Sequence, residues 1–233
     1  MPTNSKEDYL KAILMLEGRG PNILTDVEQA PVSTTAIADR LDMRPASVTG
    51  MLRNLSESGW IDYEAYRGAR LTGTGRKIAL DIVRRHRLWE VFLVDKLGFG
   101  WDEVHELAEQ LEHIEHPELM NRLAAFLGDP AYDPHGDPIP GASGEIHDPR
   151  KVVRLSECKT GESCEVKGVV DSSDGFLQHL NEFEIGLGLK FVVGKVFEYD
   201  GSVEIDLGDR TVIWTRSVAE NLYVEPQMQK NHA

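Results

Sequence analysis

Apolar residues recur at helical spacing from the start of this chain to about residue 128, then switch to short alternating runs after residue 150. In "SKEDYLKAILMLEG", Leu10, Ile13, Leu14 and Leu16 repeat on one side, with Ser5 suited to cap a helix and Gly18 to stop it. "GRGPNILTDVEQAP" then reads as a polar connection. "STTAIADRLDMRPASVTGMLRNLSESG" predicts two short helices. Ser33 or Thr34 starts one that buries Ile37, Ala38 and Leu41; Pro45 opens another that buries Val48, Met51, Leu52 and Leu55. "WIDYEAYRGARLT" alternates around Arg67–Gly68 as a β-hairpin does. A long helix is expected from Gly75 to about Leu97. A further one runs to about Glu115, with Val104, Leu107, Ala108, Leu111 and Ile114 as its buried stripe, and a short one follows Pro117.

Residues 128–150 are dense in Pro, Gly and Asp without periodicity, which predicts a linker or an extended lid. The runs "VVRLSECKTGESCEVKGVVD", "LKFVVGKVFEYDGSVEIDLGDRTVIWT" and "NLYVEP" then predict short strands around one helical piece, "GFLQHLNEFEI". The fold class is therefore mainly α with a C-terminal β domain, a small SH3-like barrel.

Two short helices followed by a hairpin form the winged helix-turn-helix pattern. The second helix would enter a DNA major groove, presenting Arg44, Pro45, Ala46, Ser47, Thr49, Gly50 and Arg53 from its early turns and exposed side. Arg67 and Arg70 of the wing would hold phosphates. The same pattern also occurs in domains that never touch DNA, and a net charge of −14 speaks at first against nucleic acid. The charge is unevenly spread, however. Residues 33–87 carry net +4, and residues 88–149 carry fourteen acids against Lys96 and Arg122. An anion-facing front and a cation-facing middle follow. No apolar run is long enough to span a bilayer and no leader pattern opens the chain, so the expected location is cytoplasmic with no membrane partner. Cys158 and Cys164 read as small buried strand or turn residues.

The acid-rich middle holds "HELAEQLEHIEH", which crowds His105, Glu109, Glu112 and His113 into one predicted helix, with His86 and Glu90 one turn apart on its neighbour. Carboxylate and imidazole donors without sulfur suit Mn²⁺ or Fe²⁺ better than a thiolate site. A solvated acidic face is the plain alternative. A metal-dependent hydrolase is another, but "EQLEH" and "HELAE" each miss a zinc-peptidase motif by Glu109 in a histidine position, and no pocket for a small organic substrate is evident. A non-enzymatic role is expected.

"SKEDYLKAI", "IADRLDMRPASVTGMLRNLSESGWIDYEAYRGARLTGTGRKIA", "RRHRLWEVFLVDKLG", "VHELAEQLEH" and "DPHGDPIP", in this order, resemble the diphtheria-toxin-repressor family of metal-dependent transcription regulators. Residues 151–226 resemble that family's SH3-like, FeoA-type domain. The resemblance implies a DNA-binding domain over 1–74 and a helical dimerisation and metal-binding domain over 75–141. A linker over 142–150, the SH3-like domain over 151–226 and a tail over 227–233 complete it. It implies a homodimer on double-stranded operator DNA that represses metal-uptake genes. By position, the primary metal site would use Asp8, Glu109, Glu112 and His113, and an ancillary site His86, Glu90 and His105. Carboxylates at positions 8 and 109 match the manganese-responsive branch, so Mn²⁺ is the expected cofactor, with an Fe²⁺-responsive regulator the alternative. The small manganese regulators carry glutamate where this chain has Lys11, which argues against their closely spaced two-metal arrangement. The SH3-like domain's own ligands fall on Ser172 and Gly175, where Asp171 and Asp174 could substitute or simply form a turn. Asp8, three residues after Ser5, could instead close a capping box.

Overall fold

A computed structural model of the chain describes residues 4–17 and 30–227. Most of the connection after Gly18 and nearly all of the tail lie outside the described residues. α1 (Asn4–Glu17) begins one residue before Ser5, so Ser5 is already helical and does not cap; the capping-box reading of Asp8 loses its partner. α2 (Thr34–Arg40) is capped by Ser33, whose hydroxyl accepts from Ala36 N at 3.1 Å. A turn through Asp42, at φ 49°, leads to α3 (Pro45–Glu57), with its proline in the first turn. Tyr9, Leu10, Ile13 and Leu14 of α1 form one core with Ile37, Ala38, Val48, Leu52 and Leu55.

The wing is β1 (Ile61–Glu64) paired antiparallel with β2 (Gly68–Leu71). Behind it, α4 (Gly73–Leu97) runs 25 residues from the Thr72 cap to Gly98 at φ 76°. Its start packs against the wing so closely that a Cβ on Gly75 would lie 1.9 Å from Trp60 O. Gly75→Ala should therefore destabilise the protein by about 1–3 kcal/mol, read as a lowered urea midpoint at unchanged slope. An unchanged midpoint would show that the strand end yields freely.

Ala79, Leu80 and Val83 place the first half of α4 in the winged-helix core; Leu88 joins a second core with Met120, Leu123 and Ala124. α5 spans only His105–Leu111, and α6 (Pro117–Phe126) is capped by the His116 ring, which accepts from Leu119 N. The expected helix to Glu115 thus ends early. Glu112 is the last residue whose N–H bonds back into the helix, and its side chain turns inward to Lys11 and His86. Of the expected stripe, Val104 and Ala108 are buried, whereas Ile114 is exposed.

Residues 128–150 are irregular, as expected, yet they are neither a free linker nor a lid. Asp133 and His135 are buried, Tyr132 bridges to Pro138, and Arg84 and Arg87 donate to the carbonyls of Pro140 and Pro138. The reason is backbone polarity: a segment laid on a core must have its carbonyls satisfied.

The C-terminal part is one six-stranded antiparallel sheet, in the order β3 (Val153–Arg154), β8 (Leu222–Pro226), β4 (Ser163–Val169), β5 (Lys190–Val196), β6 (Val203–Asp206), β7 (Thr211–Trp214). Its core includes Leu155, Val166, Leu177, Phe191, Val193, Ile205, Trp214 and Leu222, with α7 (Asp174–Glu182) and α8 (Arg216–Asn221) covering it. Cys158 and Cys164 are buried there as free thiols. This unit docks on the helical part. Val169 N donates to His135 O at 3.0 Å, Trp101 Nε1 to Asn181 Oδ1 at 2.7 Å, and Arg150 to the carbonyls of Lys167 and Gly136 while stacking on Tyr132. Among the described residues no helix is long and apolar enough to cross a membrane.

Candidate metal centre

α1 lies along α4, so two charged faces meet where α5 ends. α1 supplies Glu7, Asp8 and Lys11; α4 supplies Arg85, His86 and Glu90; α5 and the turn after it supply His105, Glu109, Glu112 and His113. Asp8, Glu112 and His113 bring donor atoms within 4.8 Å of one another. His113 Nε2 is 3.2 Å from Asp8 Oδ1, and its Nδ1 is 2.7 Å from Glu7 Oε2. Glu7 in turn accepts from the buried Arg85 at 2.7 Å. The Arg85–Glu7–His113 chain thus places the ring proton on Nδ1 and leaves Nε2 facing Asp8, the arrangement that orients ligating histidines. Burial holds the Asp8 carboxyl above the usual range for aspartate.

Glu109 lines the same cavity of about 620 Å³ as Asp8 and His113, but it stands apart from the Asp8–Glu112–His113 cluster. Its side chain is 54 % exposed and faces His105 Nε2 at 3.4 Å; that hydrogen bond holds its carboxyl down to about 2. Helical periodicity suggests a shared face for Glu109 and Glu112, and the early end of α5 separates them.

A second cluster joins His86, Glu90 and His105, and a third joins Glu90, Asp133 and His135. They share one atom, the buried Glu90 Oε1, which has His86 Nε2 at 2.9 Å, His105 Nδ1 at 3.5 Å and His135 Nδ1 at 3.7 Å. His135 Nε2 donates to Trp101 O at 2.8 Å, so Nδ1 keeps its lone pair toward Glu90. Burial opposes ionisation of Glu90, yet the surrounding imidazoles hold it well below the ordinary carboxylate range. The carboxylates of Glu109 and Glu90 raise His105 to about 9. Burial raises Asp133 to about 7 although Arg87 Nε lies 3.3 Å away.

This donor set fits a divalent cation. Three imidazole nitrogens surround one carboxylate oxygen, sulfur is absent, and the charge that balances these acids in the bare protein is the protons of the histidines themselves. Glu7, Asp133 and His135 escape the sequence reading. Neighbouring helical residues ordinarily diverge, which hides Glu7 behind Asp8. The Asp-Pro-His spacing in "DPHGDP" is the signal that could have found the other two.

On the opposite side, Arg44, Pro45, Ala46, Ser47, Gly50 and Arg53 are exposed and Thr49 is half-buried. Arg67 is exposed beside Glu64; Arg70 is half-buried near Glu17 and so sits behind the wing tip. Asp171 accepts from Ser173 N in an exposed turn leading to Asp174, and among the described residues neither joins a cluster of metal-capable groups.

Comparison with known proteins agrees along the chain. Residues 1–69 match the family described as iron dependent repressor, N-terminal DNA binding domain, residues 72–141 match iron dependent repressor, metal binding and dimerisation domain, and residues 153–226 match FeoA domain. The chain is 32% identical over 164 residues to the iron-dependent repressor IdeR of Mycobacterium tuberculosis, covering 68% of this chain and 67% of that protein. It is 33% identical over 165 residues to the HTH-type transcriptional regulator MntR of Oceanobacillus iheyensis, covering 71% of this chain and 99% of that one. Among solved structures, a manganese-dependent transcriptional repressor in complex with manganese superposes with a TM-score of 0.81 at 36% identity, over 95% of this chain and all of that one. The chain belongs to the diphtheria-toxin-repressor family of metal-dependent transcriptional repressors, in the form that carries a C-terminal FeoA domain.

Proposed function

We propose that this protein is a Mn²⁺-responsive repressor whose operator affinity is set by a cation joining α1 to the acid-rich middle. The family dimerises and binds operator DNA. The observation that carries the finer reading is the adjacency of two residues on α1. Asp8 faces His113 and Glu112, while Tyr9 is buried in the winged-helix core and its hydroxyl donates to Met43 Sδ in the turn between α2 and α3. Fixing Asp8 therefore fixes the orientation of α3. Without a cation, Asp8 has only the His113 ring opposite it, and Glu112 is held by Lys11 and His86.

Asp8, Glu112 and His113 would hold the first ion, with Glu109 at the cavity rim. His86, Glu90 and His105 would hold the second, with His135 and Asp133 completing it. The bound cation supplies positive charge that ties carboxylates from two parts of the chain together. Everything else is done by protein groups: Glu7 and Arg85 orient His113, Trp101 O orients His135, and Arg44, Ala46, Ser47, Thr49, Gly50 and Arg53 of α3 face the major groove. Oxygen donors at positions 8 and 109 favour Mn²⁺ over softer ions. The domain limits follow as 1–74, 75–141, 142–150, 151–226 and 227–233.

The test is binding of the full chain to DNA from upstream of its own gene, by fluorescence anisotropy, in chelator and with Mn²⁺ or anaerobic Fe²⁺ added. Tighter binding with Mn²⁺ than with Fe²⁺ at equal free ion supports the reading; affinity indifferent to metal overturns it. His135→Ala should weaken the second ion at least ~10-fold in calorimetry while leaving the first unchanged, as expected for loss of an outer partner or ligand.

A further inference from the structure

Lys11 projects from α1 into the gap between the two ion clusters. Its Nζ donates to Glu112 Oε2 at 2.6 Å and lies 3.2 Å from His86 Nδ1 and 4.0 Å from Glu109 Oε1. Its side chain is only 12% exposed. The same Glu112 oxygen is 2.5 Å from His86 Nδ1. One carboxylate oxygen is therefore shared by a residue of each cluster and by an ammonium that sits where the two clusters meet.

We infer that Lys11 is a specificity-determining residue, a covalently tethered cation that keeps these clusters as two separate one-ion sites. Three physical consequences support it. Glu112 Oε2 is saturated by Lys11 and His86, so only Oε1 is free for an ion beside Asp8, and Glu112 is restricted to one-oxygen ligation. An ion drawing on Glu112 competes with a fixed ammonium, so Lys11 raises the metal concentration at which the first site fills. A further divalent ion placed between the clusters would lie within a few ångströms of a positive charge in a poorly solvated gap, where repulsion is little screened. A soluble cation could leave; the lysine stem, packed between α1 and α4, cannot.

This inference rests on the proposed ion sites, and its test separates the two. The full-length protein, with Lys11→Gln and Lys11→Glu, is titrated with Mn²⁺ and read by native mass spectrometry and electron paramagnetic resonance. Wild type should take up two ions per protomer with the spectrum of isolated Mn²⁺. Lys11→Gln should bind the first ion at least ~10-fold more tightly, and Lys11→Glu should admit an additional ion with a spin-coupled spectrum. Equal ion counts and equal affinities in wild type and Lys11→Gln overturn the inference while leaving the ion sites intact. Wild type that takes up no Mn²⁺ overturns the ion sites and this inference with them. Lys11→Gln keeps the length and a donor, so it decides the matter even where the charge reversal does not fold.

Discussion

Asp8→Ala should bind operator DNA in Mn²⁺ no better than wild type does in chelator, a loss of about a hundredfold. That size follows from linkage: an ion at ~100 times its dissociation constant for the competent state contributes about 2.7 kcal/mol to that state, all of which is forfeited when α1 has no ligand. Asp8 is 43 % exposed at the cavity rim, so the substitution leaves the core of Leu10, Ile13 and Leu14 untouched. Wild-type and variant proteins should unfold within about 0.5 kcal/mol of each other in chelator, as for other surface substitutions. Anisotropy titrations with and without Mn²⁺ check the result. A variant that still responds fully to Mn²⁺ removes α1 from the switch.

Arg53→Ala and Arg44→Ala should each weaken specific binding by ~10–100-fold, the range of about 1–3 kcal/mol for an arginine that reads a base edge. Both residues are exposed on α3 or at its start, and neither has a hydrogen-bond partner to give up on docking among the described residues. The two roles an arginine can play separate in the salt dependence. Loss of a phosphate contact lowers the salt slope by about one and weakens all sequences alike, whereas loss of a base contact relaxes preference at one position. Binding that is unchanged by both substitutions would move the DNA face away from α3.

The winged helix was legible because its signals are local: Ser33 before an apolar turn, Pro45 at a helix start, alternation around Arg67–Gly68. The strands of the last third were legible for the same reason. The ion clusters were only half legible. His86 and Glu90 lie one turn apart on a helix that forms as its spacing predicts, so they meet. Glu109, Glu112 and His113 were grouped by a helical period that α5 does not sustain, because burial of Glu112 against Lys11 outweighs one more helical turn. Asp133 and His135 were invisible to periodicity altogether. Their position depends on carbonyls of an irregular segment finding arginine donors on α4, a long-range event without local pattern.

The hydrogen bond from Val169 to the carbonyl of His135 has a consequence for anyone trimming this protein. Ending the chain near residue 141 would look harmless on a diagram of modules, yet it strips a buried imidazole's own residue of its backbone anchor. The shortened form should show a loosened second ion before it shows any change in how the first is held, so an assay on the amino-terminal half alone would describe a different sensor.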